Sequence, residues 1–206
     1  MKGKRFRRFL AALVAMLLLF TAPGAVSVCA YMEEMELQNI APQATYTFTH
    51  YDPSYPDYDP FSNPAWYKAD ETGRQLTDGS RAPVNDYEDE GWVGVSAYTA
   101  GTAVTTATFQ FPASVVISSV VTSCHPASVE AGIDLPKQVT VSVSQNGTNW
   151  TPVAMADDTD PAKMLSIELD QAYKATYVKL DYLQKYGVGW TLFDEIEIYG
   201  TMDSSG

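Results

Sequence analysis

The sequence predicts an all-β domain, an antiparallel sandwich or jelly roll of short strands. Three observations predict it. No stretch after residue 31 holds apolar residues in 3.6-residue register over three turns. Period-2 alternation is frequent, as in Val139, Val141 and Val143 against Thr140, Ser142 and Ser144. Turn signals separate the runs: Phe111-Pro112, Pro136, Asn146-Gly147, Asp160-Pro161 and Gly187–Gly189. The expected strands are 45–50, 105–111, 115–123, 138–144, 164–169, 175–182 and 192–199.

In chain order, residues 1–30 read as an export signal. Lys2, Lys4, Arg5, Arg7 and Arg8 form its basic start, and residues 9–20 are 12 unbroken apolar residues. Pro23-Gly24 breaks the run, and Val28-Cys29-Ala30 predicts cleavage after Ala30. Twelve helical residues reach only about 18 Å, short of a ~30 Å hydrocarbon core, so no membrane insertion is expected after cleavage. Residues 31–42 read as a short tether, 43–200 as the domain and 201–206 as a tail.

The segment 51–91 breaks the pattern. It opens Tyr51-Asp52-Pro53-Ser54-Tyr55-Pro56-Asp57-Tyr58-Asp59-Pro60, and Pro and Asp block ladders. A long irregular segment in a compact domain is either a cover for one end of the sandwich or a ligand platform.

Charge narrows the function. The 206 residues carry net charge −12, but the first 30 hold five basic residues and no acid. The remaining 176 residues hold 8 basic and 25 acidic side chains, a net of −17. Nucleic acid, which needs Lys and Arg for its phosphates, is excluded as a partner. Cleavage removes Cys29 and leaves Cys124 as the one thiol, so no internal disulfide forms. With only His50 and His125, a three-histidine zinc site is impossible.

Three local patterns, in order, carry a resemblance. Leu76-Thr77-Asp78-Gly79 is followed after an acidic loop by Trp92. Gln138-Val139-Thr140-Val141-Ser142-Val143-Ser144 leads through Asn146-Gly147 to Trp150. Tyr177-Val178-Lys179-Leu180 precedes Trp190-Thr191-Leu192-Phe193-Asp194-Glu195-Ile196-Glu197-Ile198-Tyr199-Gly200. Together they resemble the discoidin or coagulation factor 5/8 C-terminal domain, whose bacterial relatives include family 32 carbohydrate-binding modules. The resemblance implies a galactose-binding-domain-like, eight-stranded antiparallel jelly-roll sandwich.

It also implies a structural Ca2+ ion. Asp78 and Glu195 would supply carboxylates, with carbonyls from Gln75, Ser80 and Asp194. The residues support this, because calcium takes six to eight oxygens from turn-rich loops. Two carboxylates ~4 Å apart repel by about 4 kcal/mol at an effective dielectric near 20, which a cation turns into cohesion.

In the resembled family, ligands bind loops at one end of the sandwich. The ligand candidates here are the rings of Trp66, Tyr67, Tyr98 and Tyr186, with His125 as a hydrogen-bonding group. Trp92, Trp150 and Trp190 are expected in the core. A flat ring meets the C–H face of a sugar while polar groups read its hydroxyls. No His-Glu-x-x-His, Gly-x-Ser-x-Gly or phosphate loop is present. The expectation is therefore a secreted, non-catalytic, lectin-like domain for neutral glycans or glycoconjugates. The alternative is an extracellular adhesion domain of the same fold, bound to a separate secreted or surface protein.

Overall fold

The computed structural model describes residues 37–202, and of residues 97–100, 186 and 188 only the backbone. The described residues lie within the compact unit Met35–Gly206. The expected export signal lies outside them. No helix among them is long and apolar enough to cross a membrane.

Among the described residues, nine strands and one short α-helix, besides three single-turn 3-10 helices, run in the order β1 (Gln38–Asn39), β2 (Thr45–Tyr51), β3 (Tyr67–Lys68), β4 (Val93–Ala100), β5 (Val104–Cys124), β6 (Gln138–Ser144), β7 (Thr151–Asp157), α1 (Pro161–Leu165), β8 (Ser166–Leu183) and β9 (Tyr186–Met202). Every strand pairing is antiparallel. Hydrogen-bonded neighbours follow β3-β4-β9-β5-β8-β6-β7, with β1 added to β9 and β2 to β5.

That continuous path folds into two layers. Phe48 on β2 and Tyr182 on β8 both meet the Phe193 ring of β9, at 5.8 and 4.6 Å between centroids. Neither β2 nor β8 is hydrogen-bonded to β9, so these rings face each other across the core. Phe109, Ile117, Val139, Leu180 and Ile196 fill the same core.

Several expected boundaries change. Residues 105–111 and 115–123 belong to one strand, because register shifts between Gln110 and Val115 absorb Pro112 where no regular ladder bond is required. Met164 and Leu165 end α1 rather than begin a strand, since Asp160 caps the Lys163 N–H and Pro161 opens the helix. Within the expected tether, Gln38 and Asn39 pair with β9, and Ile40 and Ala41 are buried. Asn39 ties them down: its side-chain oxygen accepts from the N–H groups of Ala41 and Ile198.

The strand β4 was not legible because glycine interrupts its alternation. A Cβ on Gly94 would lie 2.2 Å from the Thr191 carbonyl oxygen, so no side chain fits where β4 meets β9. The expected core tryptophans divide. Trp92 is 1% exposed and forms a small second core with Ile133 and Leu192, against which Trp190 packs half-buried. Trp150 is not in the core: it lies against the Tyr177 ring with the Lys179 ammonium 5.0 Å from its centroid.

Candidate ligand and cation sites

The long segment after β2 closes one end of the sandwich through buried polar side chains. Asp52, 1% exposed, accepts from the Ser54 N–H at 2.9 Å and the Thr102 hydroxyl at 2.8 Å. Buried Gln184 donates its side-chain N–H to Thr105 Oγ1 at 3.1 Å, and His50 Nδ1 lies 3.1 Å from that same oxygen. With Thr105 accepting from Gln184, its own proton is available to His50 Nδ1, which leaves the ring proton on Nε2. Burial holds the His50 pKa below its ordinary value against the pull of Asp52 and Asp59, so the ring is neutral. His50 Nε2, Asp52 Oδ2 and Gln184 Oε1 have no hydrogen-bond partner in the protein. One unpaired donor and two unpaired acceptors are therefore buried just beneath this end of the sandwich.

Aromatic side chains stand beside them. The Tyr58 hydroxyl donates to the Ser96 carbonyl at 2.5 Å, and its ring lies 6.1 Å from His50 and 5.4 Å from Trp66. Trp66 is held at both main-chain groups, its N–H on Asn63 O at 2.9 Å and its carbonyl on Ser96 N at 2.8 Å. Its side chain remains exposed, at 42%. A large ring fixed by backbone bonds yet open to water is a surface feature that loses little entropy on binding.

The other predicted ligand residues are placed as follows. Tyr67 pairs with Val95 and packs on Phe61 at 4.6 Å, so its half-buried ring serves packing rather than an open platform. Tyr98 and Tyr186 lie on neighbouring strands, in the pairs Tyr98↔Val188 and Ala100↔Tyr186, and their side chains lie outside the described set. Trp66 and Tyr67 at the start of β3, Tyr98 on β4 and Tyr186 on β9 therefore lie along three neighbouring strands. His125 is the exception. It is 5% exposed, its ring edge-on to Trp92 at 4.9 Å and its Nδ1 2.6 Å from Pro126 O. Packing in the second core takes His125 out of the solvent-facing set. His50, Asp52, Tyr58 and Gln184 were missed, because nothing in local spacing marks residues that only strand pairing assembles.

The predicted cation residues meet where the 74–82 turn crosses β9. Glu195, 1% exposed, accepts from Gly79 N–H through Oε2 at 3.0 Å, while Oε1 has no partner. Gly79 has φ +80°, a left-handed conformation that suits glycine and aims its N–H at β9. Burial pushes the Glu195 pKa up to about 7, with Asp78 and Glu197 adding repulsion and the Gly79 bond and Arg81 opposing. Asp78 closes its own turn by accepting from Ser80 N–H at 2.7 Å. Asp194 accepts from Ala82 N–H at 2.9 Å, with an Arg81 nitrogen 3.7 Å from its other oxygen; Arg81 also bridges to Glu197.

The Gln75 side chain accepts from Glu71 N–H and donates to the Glu90 carbonyl, so only its main-chain oxygen is left for an ion. A cavity of about 170 Å³ is lined by Gln75, Asp78, Ser80, Arg81, Asp89 and Asp194. No group of three or more His, Cys, Asp or Glu side chains forms a metal cluster among the described residues. The donors suit a hard cation that mixes carboxylates with carbonyls, and the orphaned Glu195 Oε1 fits such an ion.

The family model described as F5/8 type C domain matches residues 62–196. No curated protein matches the chain. Among solved structures, the family 32 carbohydrate-binding module of Clostridium perfringens NanJ, in complex with galactose, is similar at 14% identity and TM-score 0.46, over 77% of this chain and 96% of that one. Chitosan-binding module 1 of a chitosanase/glucanase from Paenibacillus sp. IK-5 is similar at 19% identity and TM-score 0.48, over 79% and 99%. A fucolectin from striped bass (Morone saxatilis) serum is similar at 13% identity and TM-score 0.51, over 81% of this chain and 50% of that one. With the family model spanning most of the described sandwich, the chain belongs to the F5/8 type C domain family.

Proposed function

We propose that this protein is a secreted, non-catalytic, lectin-like domain that binds neutral glycans at the loop-capped end of its sandwich. The observation that carries the reading is Trp66, a tryptophan fixed by two backbone bonds and left 42% exposed beside orphaned polar groups. Its flat face takes the C–H face of a pyranose, and the unpaired His50 Nε2, reached past the Tyr58 ring that lies between His50 and Trp66, would supply a donor to a hydroxyl once the covering segment shifts. Membership of the F5/8 type C domain family supports the reading. A body with net charge −17 disfavours sulfated or phosphorylated sugars.

The same proposal includes a structural calcium ion. Asp78 and Glu195 would hold it, with carbonyls of Gln75, Ser80 and Asp194. The ion would neutralise the buried Glu195 charge and tie the 74–82 turn to β9.

A glycan array with and without calcium tests the function. The expected result is binding of neutral sugars by the wild type, lost in Trp66→Ala and reduced in His50→Ala, with both variants folded. An array without a sugar hit, together with capture of a surface protein by the same face, replaces this reading with an adhesion domain.

A further inference from the structure

The sheet path leaves one long strand edge open. Among the described residues β2 pairs with β5 alone, in unbroken register from Thr45↔Gln110 to Tyr51↔Val104. Its residues include no proline, no glycine and no Asp, Glu, Lys or Arg. The other free edges are blunted, as sheet edges usually are. Strands β1 and β3 are two residues long. Strand β7 carries Pro152, Asp157 and a register shift against β6. The start of β8 pairs with β5 alone and carries Glu168.

The core is uncovered along this edge. Tyr46 packs on Phe109 at 5.5 Å and Phe48 on Phe193 at 5.8 Å. Yet Tyr46 and Phe48 are only half-buried, whereas Phe109 and Phe193 are fully buried. On the outer face Thr45, Thr47, Thr49 and Tyr51 are exposed. Residues 40–51, and the β5 stretch 104–110 beside β2, hold no Asp, Glu, Lys or Arg, in a body of net charge −17. Such a neutral strip is where two of these acidic bodies approach with least repulsion.

We propose that two copies of this chain pair antiparallel along β2, joining their sheets about a two-fold axis at Phe48. The strand is self-complementary in that register. Phe48 meets the Phe48 of the second copy, Thr47 stands opposite Thr49, Tyr46 opposite His50 and Thr45 opposite Tyr51. Aromatic, Thr–Thr and aromatic–β-branched pairs are favourable cross-strand contacts. The pairing satisfies the outward main-chain groups of β2, covers the Tyr46 and Phe48 rings and shields Tyr51, which is 59% exposed in one copy. The seam is about 24 Å long and about 10 Å deep, so the dimer is weak and dissociates on dilution. His50 stands near the C-terminal end of β2, with Tyr58 and then Trp66 beyond it. Antiparallel pairing sends these ends in opposite directions. A dimer therefore carries its two Trp66 rings at opposite ends and bridges two glycan-bearing surfaces, a consequence that rests on the glycan-binding reading.

Sedimentation equilibrium of the purified protein over a dilution series, with and without added salt, tests the pairing. The expected mass rises toward twice that of the monomer, and does so at lower concentration in salt, which screens the acidic bodies. Thr47→Lys/Thr49→Lys sets like charges opposite each other and keeps the monomer mass, as does Thr47→Glu/Thr49→Glu. Mixing the two variants restores the doubled mass. Both positions are exposed, so each variant keeps a cooperative melt. Under oxidation a Thr47→Cys copy cross-links to a Thr49→Cys copy, directly opposite it, and not to its own kind. A monomer at every concentration overturns the proposal, as do Lys and Glu variants that each dimerise like the wild type. A monomer whose β2 amides all resist hydrogen exchange also overturns it, by placing another segment of the chain on the edge. Beads coated with the neutral glycan that the array selects separate the two readings. The wild type agglutinates them, and Thr47→Lys/Thr49→Lys binds without agglutinating. A dimer that binds beads without agglutinating them overturns the opposed placement. An array without a hit overturns the glycan reading and leaves the dimer to its mass.

Discussion

Glu195 gives the sharpest quantitative test. The perturbation is Glu195→Gln, measured in EGTA. Burial raises the carboxyl from 4.5 to about 7, so the native state holds its proton more tightly than the unfolded chain does. Between these two values the native state binds more protons, and stability falls as pH rises. At 1.36 kcal/mol per pH unit the ceiling is about 3 kcal/mol. Asp78 is exposed and water screens its share of the repulsion, which brings the expected loss to about 2 kcal/mol. For a domain of this size that is about 4–8 °C in melting temperature. Below pH 4.5 the penalty is absent, and above about 7 it is complete. Glu195→Gln keeps an oxygen for the Gly79 N–H and removes the charge, so its melting temperature should lack this part of the slope. Thermal melts at pH 4.5, 5.5, 6.5 and 7.5 measure the difference. Millimolar calcium should flatten the wild-type slope and raise its melting temperature most above pH 6. Parallel pH profiles for the two proteins in EGTA would refute the reasoning, and a melt indifferent to calcium would refute the ion.

Three further outcomes follow from packing. Gly94→Ala should cost about 3 kcal/mol in urea titration, because its Cβ would stand 2.2 Å from Thr191 O and 3.1 Å from Leu192 Cα, both main-chain atoms; a wild-type midpoint would contradict the close approach of β4 and β9. Trp92→Ala should lose about 3–5 kcal/mol and speed proteolysis of the 83–91 segment, which the indole N–H tethers through Asp86; Trp92→Phe should restore packing without the tether. Cys124 is half-buried against the core, and desolvation there, aided by Asp194, pushes its thiol far above the usual range. The native protein should therefore resist thiol reagents at pH 8 and react once unfolded, and prompt native labelling would show the thiol to be open.

Local pattern revealed what lies within a few residues. Alternation marked β6, and its Val139, Val141 and Val143 are buried. It did not reveal that Ser142 and Ser144 are buried too; the turn folds over Ser144, whose Oγ accepts from the Asn146 and Gly147 N–H groups. Asn146-Gly147 was read as a turn, and Gly147 has φ +72°, but Asn146 stays at negative φ and uses its side-chain oxygen to cap Thr148 and Asn149. Of the aromatic candidates, Trp66 is an exposed ring, whereas Tyr67 packs on Phe61 and His125 on Trp92. Residue type alone does not distinguish these outcomes, since burial depends on which segment covers a face.

By itself the sequence determined the all-β class, the order of motifs that mark the family, and the acidic body, because periodicity, turn residues and charge are local or additive properties. Only the tertiary structure decided which polar groups are orphaned and which rings are open. Gly79 and Glu195 are 116 residues apart, and Thr105 and Gln184 are 79 apart. Their meeting is fixed by strand register, where a one-residue slip would send each side chain to the other face.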